Sequence, residues 1–111
     1  MWGICLDSEA MQEGLFQTVI QYEIAENGEV IITSPKTVYK PDIRHIRALP
    51  IPSPKYIYGD QVSPCNHPNV MGIIYGIHWH FKLNCCFYII KVNDKVKSKR
   101  YYDDDLNEFT V

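Results

Sequence analysis

Two histidine-bearing segments carry the residues with the widest range of possible chemistry. Residues 65–67 read Cys-Asn-His and residues 78–80 read His-Trp-His, with Cys85 and Cys86 a few positions later. Imidazole nitrogen and thiolate sulfur are the ligands that zinc binds tetrahedrally, and strand residues two apart point to the same side. The candidate metal ligands are therefore Cys65, His67, His78 and His80.

The spacing of these ligands argues against a structural zinc site. Such sites usually come from turns in which two to four residues separate a pair of cysteines, and this sequence has no such pair. His78 and His80 fit equally well on the polar face of a strand whose other face, with Ile77 and Trp79, is buried. We therefore predict no metal and no cofactor, and we place Trp79 in the core.

Catalysis is the next chemistry to consider. A nucleophilic mechanism needs a Cys or Ser within hydrogen-bond reach of a base, and a Cys with a distant His is too common to indicate one. The sequence has no Gly-rich phosphate-binding loop. The acidic run at residues 103–105 is more typical of the start of a helical turn than of a cation site. We therefore predict that the chain is not an enzyme.

A basic run near the C-terminus is the clearest candidate binding feature. Its residues combine cations with aromatic rings: Lys95, Lys97, Lys99, Arg100, Tyr101 and Tyr102, with Lys91 just upstream. Interleaved cations and rings are what single-stranded nucleic acid grooves use. Lysines that share one face of an edge strand also protect that strand from aggregation. Both interpretations stay open at this point.

The overall composition indicates one compact domain. The chain has 111 residues, of which 46% are hydrophobic and 13% aromatic, and its formal net charge is -2. Chains with so many aromatic residues and so little net charge are not typically disordered. The near balance of acidic and basic residues also argues against a dedicated DNA-binding protein, since such proteins are usually strongly basic.

The sequence predicts a cytoplasmic protein that does not enter a membrane. Its first residues lack the basic and apolar regions of a signal peptide, and no apolar run approaches the roughly 20 residues needed to span a bilayer. Adjacent Cys85 and Cys86 cannot easily bridge each other, so we interpret the four cysteines as reduced thiols rather than as a disulfide framework.

The first half contains a predicted β-hairpin. Residues 15–24 alternate between apolar and polar side chains, residues 25–29 contain turn-forming residues, and residues 30–33 are apolar and β-branched. Such a pattern is typical of two antiparallel strands with one face buried.

The register of this hairpin follows from its loop. A three-residue loop with Gly28 in the left-handed conformation pairs Ile24 with Val30 and Tyr22 with Ile32. A two-residue loop would instead place an apolar side chain opposite an acidic one, on the polar face. We therefore prefer the three-residue loop.

The rest of the chain is predicted to be mostly β. Prolines punctuate residues 34–54, which limits that region to short or edge strands, and they form a stiff connection at residues 51–54. Further strands are expected at residues 56–58, 72–80, 85–92 and 96–102, with a turn at 93–94. Short helical turns are expected within residues 7–13, 41–46 and 103–109. We therefore predict a single domain with an N-terminal hairpin half (1–50) and a second half (55–111).

A short internal pattern occurs once in each half. Tyr39, Asp42, Ile43 and Ile46 share their spacing and types with Tyr102, Asp105, Leu106 and Phe109. The two copies indicate either a duplication or a coincidence of similar turns, and four loosely defined positions do not decide between them.

Short motifs in the second half form a pattern known from one group of small domains. Residues 58–62 read Tyr-Gly-Asp-Gln-Val and residues 72–74 read Gly-Ile-Ile, followed by Tyr88, Arg100-Tyr101 and Asp105-Leu106. The second half thereby resembles the SH3-like small barrels, including bacterial, KOW and Tudor-type modules. In these barrels a Gly-Asp-x-Val strand precedes a Gly-x-Ile strand, a hairpin and a closing one-turn helix. The resemblance implies an SH3-like barrel after the hairpin and the Pro-rich connection.

The resemblance limits the possible function without fixing it. The acidic loop and the Trp-Trp pair with which eukaryotic SH3 domains hold polyproline are absent, so a polyproline ligand is not expected. Small barrels bind proteins, RNA and peptides alike. We predict a non-catalytic binding module, first for a protein partner, as in immunity or adaptor proteins. The alternative is an RNA-binding barrel that uses the face with Lys95, Lys97 and Lys99.

Overall fold

The computed structural model describes residues 1–110, and the chain divides into two compact units, Met1–Ser53 and Pro54–Val111. Each unit contains one antiparallel sheet and short 3-10 turns, so the predicted mostly β fold is confirmed. The boundary between the units falls in the Pro-rich connection at residues 51–54. No helix within residues 1–110 is long and apolar enough to cross a bilayer.

The N-terminal unit has a four-stranded sheet. Its strands are β1 (Trp2–Cys5), β2 (Val19–Ile24), β3 (Val30–Ser34) and β4 (Ile46–Ala48), in the order β3-β2-β1-β4. Two 3-10 turns, Ser8–Glu13 and Ile43–His45, follow β1 and precede β4. The first strand therefore lies between the second strand and the last.

The predicted register of the β2–β3 hairpin is confirmed. Ile24 pairs with Val30 and Tyr22 pairs with Ile32, and Gly28 has a φ of 86°. This left-handed backbone is readily available to glycine, which explains the three-residue loop.

The predicted start of the first hairpin strand was wrong. β2 begins at Val19 rather than at residue 15, because the preceding residues form a tight turn. The Thr18 hydroxyl donates to the Leu15 carbonyl at 2.6 Å, and Gln17 has a φ of 66°. Apolar and polar residues alternate strictly only from Ile20 to Ile24, whereas residues 15–19 read Leu-Phe-Gln-Thr-Val. Including those residues in the pattern placed the start of the strand too early.

Asp7 links two segments of the N-terminal unit that are distant in sequence. It is 5% exposed, and its carboxylate accepts hydrogen bonds from the Glu9 N–H at 3.0 Å and the Tyr39 hydroxyl at 2.6 Å. His45 Nδ1 lies 3.5 Å from the same carboxylate. The Tyr39 hydrogen bond is the largest cause that lowers the pKa of Asp7. The carboxylate thus joins the segment after β1 to the segment before β4.

The C-terminal unit has a five-stranded sheet. Its strands are β5 (Gln61–Pro64), β6 (Gly72–His80), β7 (Cys85–Val92), β8 (Lys95–Val96) and β9 (Leu106–Glu108), in the order β8-β7-β6-β5-β9. A 3-10 turn, Asp103–Asp105, immediately precedes β9. The predicted bounds of β6 and β7 are confirmed. β8 and β9 lie at the two edges of this sheet, and within residues 1–110 they do not pair with each other to close it. The barrel implied by the resemblance therefore stays a prediction.

Alternation along β6 places its side chains as predicted. Trp79 is 4% exposed and Ile77 is fully buried, whereas His78 and His80 are only partly buried. Trp79 is therefore a core residue and the two histidines lie on the opposite face of the sheet.

Three predicted segments of the C-terminal unit were wrong in part. Residues 56–58 form turns rather than a strand, since the Asp60 carboxylate accepts the Ile57 N–H at 2.9 Å and Gly59 has a φ of 90°. The strand predicted at 96–102 stops at Val96. The helical turn predicted at 103–109 stops at Asp105, and β9 begins at Leu106 and pairs with β5.

A buried tyrosine organises the turns of the C-terminal unit. The Tyr88 hydroxyl donates to the Asp103 carboxylate at 2.8 Å and accepts the Lys55 N–H at 3.1 Å. The hydroxyl of Tyr56 donates to the Leu106 carbonyl at 2.9 Å. Burial and the Asp103 bond both raise the pKa of Tyr88, so it remains a neutral donor. These bonds hold the Asp103–Asp105 turn against β7 and join the start of β9 to the segment before β5.

Candidate binding site

The basic segment leaves the sheet between two anchor points on β7. The Lys97 N–H donates to the Ile90 carbonyl at 2.9 Å, and Tyr101 exchanges two backbone hydrogen bonds with Tyr88 at 2.6 and 3.0 Å. Three residues between Lys97 and Tyr101 face a single residue of β7, so this stretch must bulge away from the ladder. The bulge determines where the basic side chains point.

One face of this segment borders a cavity of about 370 Å³. The cavity opens within the C-terminal unit, between the end of β7, the loop after β5 and the bulged segment. Its lining residues are Pro64, His67, Val70, Ile90, Val92, Lys97, Ser98, Lys99 and Tyr101. Three predicted binding residues, Lys97, Lys99 and Tyr101, therefore come together at one site.

The floor and the rim of this cavity differ in chemistry. Pro64 and Ile90 are buried and belong to the core, and Val70 and Val92 extend the apolar lining towards solvent. Lys97 and Lys99 are exposed side chains at its edge. We call this feature the lysine-rimmed cavity.

A smaller cavity of about 250 Å³ adjoins the lysine-rimmed cavity. It shares Lys99 and Tyr101, and Cys65, Asn66 and Asp105 complete its lining. The Cys65 thiol donates to the Asp104 carbonyl at 3.3 Å, and the Asp105 carboxylate accepts the Tyr102 N–H at 2.9 Å. The polar groups of this second cavity are thus partly engaged by the protein itself.

The loop after β5 is held in place by backbone hydrogen bonds. The Cys65 N–H donates to the Asp105 carbonyl at 2.9 Å, and the His67 N–H donates to the Pro64 carbonyl at 2.9 Å. The Val70 N–H then donates to the His67 carbonyl at 3.0 Å. Two successive turns therefore position His67 and Val70 at the cavity.

The rim lysines have no acidic partner among residues 1–110. The C-terminal unit contains seven Lys and Arg residues, yet none of them forms an ion pair with a described carboxylate. The ammonium of Lys99 lies instead 5.1 Å from the Tyr101 ring centroid, a cation–π distance. Their positive charge is therefore available to a ligand.

The other predicted binding residues lie elsewhere. The Arg100 guanidinium lies 4.5 Å from the Phe87 ring centroid, and Tyr102 lies 6.2 Å from the same ring. His78 stacks on Phe87 at 5.1 Å, and burial together with Arg100 lowers the pKa of His78. Lys95 lines neither cavity and pairs with Val92 at the tip of the β7–β8 hairpin. The predicted set thus divides into separate surfaces.

The candidate metal ligands also divide between surfaces. His67 lines the lysine-rimmed cavity and Cys65 lines its smaller neighbour, whereas His78 and His80 lie on the outer face of β6. His80 Nδ1 accepts the Leu83 N–H at 3.0 Å. Within residues 1–110 no group of three or more His, Cys, Asp or Glu side chains is arranged to hold a metal ion.

Sequence reasoning missed the apolar half of the cavity. Pro64, Val70, Ile90 and Val92 come from a strand end, a loop and a second strand, so no periodic pattern connects them. The run of lysines and tyrosines near the C-terminus was visible in the sequence, and it predicted the side of the cavity formed by Lys97, Lys99 and Tyr101.

Comparison with known proteins assigns the chain to a family. Residues 39–107 match the model of DUF6960, which is described as a family of unknown function. The matched segment includes every residue that lines the lysine-rimmed cavity. No curated protein and no solved structure is significantly similar to the chain.

Proposed function

We propose that this chain, which belongs to the DUF6960 family, is a non-catalytic binding module that uses the lysine-rimmed cavity to bind a protein partner. One observation carries the proposal: a preformed apolar cavity is bordered by lysines that have no acidic partner among residues 1–110. An adaptor or immunity protein of the cytoplasm would suit such a module.

The size and lining of the cavity support binding. Ligand pockets commonly measure about 300–1,000 Å³, with mostly apolar walls and a few placed polar groups. The lysine-rimmed cavity, at about 370 Å³, has this character. Its volume is sufficient for a protein side chain.

The environments of the cysteine thiols support a non-catalytic role. Burial raises the pKa of Cys86 to about 12 and also raises the pKa of Cys5, which disfavours the reactive thiolate. The exposed Cys65 thiol donates to a backbone carbonyl rather than to an imidazole. These contacts do not make the nucleophile and base pair that covalent catalysis needs.

RNA binding is the second candidate, and the convergence of Lys97, Lys99 and Tyr101 favours it. Backbone phosphates would pair with the lysines while a base stacks on the ring. Such binding would weaken steeply as salt rises, because each neutralised phosphate releases counterions.

Cross-linking from the cavity tests the proposal directly. A photoreactive amino acid at position 70 should cross-link one protein in the native host, and the same amino acid at position 38 should not, since Val38 is 96% exposed in the N-terminal unit. Lys97→Gln with Lys99→Gln should reduce the yield of the cross-link. Equal labelling from both positions would refute the proposal.

The RNA alternative has its own measurement. Wild type and the Lys97→Gln, Lys99→Gln variant are titrated with fluorescent poly(U) at roughly 50 mM salt, where electrostatic binding is strongest. Lys36→Gln with Lys82→Gln removes the same charge at two exposed lysines outside the cavity and outside the predicted RNA-binding face, and serves as the control. Binding lost only in the cavity variant would favour RNA, and no binding by wild type would remove this alternative.

A further inference from the structure

The lining of the cavity specifies the chemistry of its ligand more narrowly than protein binding in general. This ligand chemistry rests on the proposed function, because the partner segment would occupy the same site. Three properties of the described residues define it: the apolar floor, the aromatic rings of the lining, and the distribution of charge on the rim.

The floor fits an apolar side chain. Pro64, Val70, Ile90 and Val92 present aliphatic carbon from three elements. An engineered apolar cavity of about 150 Å³ can hold one benzene ring. A cavity of about 370 Å³ therefore has room for one large side chain together with part of its backbone.

The same lining fits a nucleic acid base less well. Single-stranded grooves stack successive bases on several aromatic rings. Among the lining residues the aromatic rings are those of Tyr101 and His67, and the Lys99 ammonium lies 5.1 Å from the Tyr101 centroid. A base that stacked on that face would have to displace the lysine, whereas an aliphatic or aromatic side chain on the floor would not.

The rim fits carboxylates. Lys97 and Lys99 carry point charges on flexible stems, which can follow carboxylates at slightly different positions along a peptide. Asp105 lines the adjoining cavity next to Asn66, so that end of the site disfavours a further acid. Acidic residues of a ligand are thus expected near Lys97 and Lys99, with a neutral residue towards Asn66.

We propose that the lysine-rimmed cavity binds an acidic segment of a partner protein, with one large apolar side chain on the aliphatic floor and neighbouring Asp or Glu carboxylates paired with Lys97 and Lys99. The loop that carries His67 and Val70 is already hydrogen-bonded in place, so little ordering of the protein accompanies binding.

Selection from a random library tests the proposal without a known partner. Full-length protein is used to select 12-residue peptides displayed on phage, and the enriched peptides are synthesised with a fluorescent label. We expect enriched sequences with an apolar residue next to Asp or Glu. Replacing that apolar residue by Ala should weaken binding more than tenfold, as for a central anchor residue.

Two matched variants assign the binding to the rim. Lys97→Gln with Lys99→Gln should weaken the selected peptides roughly three- to tenfold at low salt, as expected for two exposed ion pairs. Lys82→Gln with Lys95→Gln should leave binding within twofold. The difference should shrink at high salt, because exposed charges are then screened. Amide spectra of both variants confirm that the fold is retained.

The outcomes separate this inference from the proposed function. Peptides that bind at the cavity but carry no acids would overturn the inference and leave the protein-binding function standing. Equal losses in the two double variants would place the acids elsewhere and overturn it as well. If no peptide is enriched, and poly(U) binding depends on Lys97 and Lys99, both the inference and the protein-binding function fail.

Discussion

The two units of this chain share a strand plan but differ in how they use charge. In each, the first strand lies between the second and the last, and a 3-10 turn immediately precedes the last strand. The Ile43–His45 turn before β4 thus corresponds to the Asp103–Asp105 turn before β9. In both units a Tyr–Asp hydrogen bond holds this closing region, by Tyr39 and Asp7 in one and by Tyr88 and Asp103 in the other.

Two of the four Lys and Arg side chains of the N-terminal unit form ion pairs within it. Lys40 pairs with Glu29 at 2.9 Å and Arg44 pairs with Asp42 at 2.8 Å. A cavity of about 490 Å³ in this unit is lined by both members of the first pair and by Asp42. Its cation is therefore already neutralised, unlike the rim of the cavity in the C-terminal unit.

Strand order alone therefore does not determine the chemistry of a cavity. The two sheets are organised alike, yet of these two cavities the one in the C-terminal unit combines an apolar floor with cations that lack a described acidic partner. The side chains on the strands and loops, rather than the strand order, determine what each surface can bind.

The largest expected effect is at the core of the C-terminal sheet. Trp79→Ala should lower the free energy of unfolding of that unit by about 3–5 kcal/mol, because a large buried ring leaves a cavity. His80→Ala should cost little, since His80 lies on the other face. Urea titrations followed by amide signals of residues 54–110 measure both. Equal losses would mean that both faces of β6 are covered.

The two Tyr–Asp bonds provide a direct test of their equivalence. Tyr88→Phe should cost about 1–3 kcal/mol, since the Lys55 N–H loses a partner inside the unit. Tyr39→Phe should destabilise the N-terminal unit and raise the pKa of Asp7 towards its ordinary value, because the largest cause that lowers this pKa is removed. NMR titration of the Asp7 carboxyl checks the second effect. An unchanged pKa would show that the bond does not stabilise the carboxylate.

Two glycines distinguish the packing of the sheets. A Cβ at Gly3 would lie 2.7 Å from Ile46 Cγ2 and 3.1 Å from the Arg47 carbonyl oxygen, whereas a Cβ at Gly76 would meet His78 Nε2 at 3.0 Å. Gly3→Ala should therefore cost about 1–3 kcal/mol through overpacking. Gly76→Ala should cost less, because an imidazole moves more easily than backbone. Thermal melts of both variants measure the difference, and a reversed order would contradict this account.

Acid should weaken the N-terminal unit through Asp7. The folded pKa of Asp7 is lowered, so its stabilising contribution is present above the unfolded pKa near 3.8 and is lost as pH falls through the folded value. Asp7→Asn should reduce stability at pH 6, and its difference from wild type should shrink below pH 4. Amide exchange of residues 1–53 at several pH values measures this trend. A difference independent of pH would exclude Asp7 as the cause.

The smallest expected effect is that of metal removal. A strong chelator should leave the melting temperature unchanged, because Cys65, His67, His78 and His80 do not meet at one point in the described chain. A drop of many degrees, restored by zinc, would show that the C-terminal unit depends on metal and would break the parallel between the units.

The sequence was most informative where one face of a strand is buried. Alternation gave the bounds of β6, a continuous apolar run indicated β7, and the conformational freedom of Gly28 gave the register of the first hairpin. β1 and β4 were missed because they have only four and three residues, and their pairing depends on a distant partner. The segment after Val96 lacks a buried face that would fix its register, so its departure from the sheet could not be foreseen.

The internal pattern noted in the sequence shows the same limit. It aligns Asp42 with Asp105, but Asp42 precedes its 3-10 turn whereas Asp105 ends its own. The structurally equivalent residue of Asp42 is Tyr102, three positions earlier. The repeated strand plan is thus visible in the structure, while the repeated letters match it out of register.

Pairing of the first and last strands also brings the two ends of each unit together. The Leu49 N–H donates to the Trp2 carbonyl at 3.5 Å, and the Phe109 N–H donates to the Gln61 carbonyl at 3.0 Å. Neighbouring ends are the geometry that circular permutation and insertion into a surface loop require. A short peptide could therefore join the first and last strands of each unit without separating them.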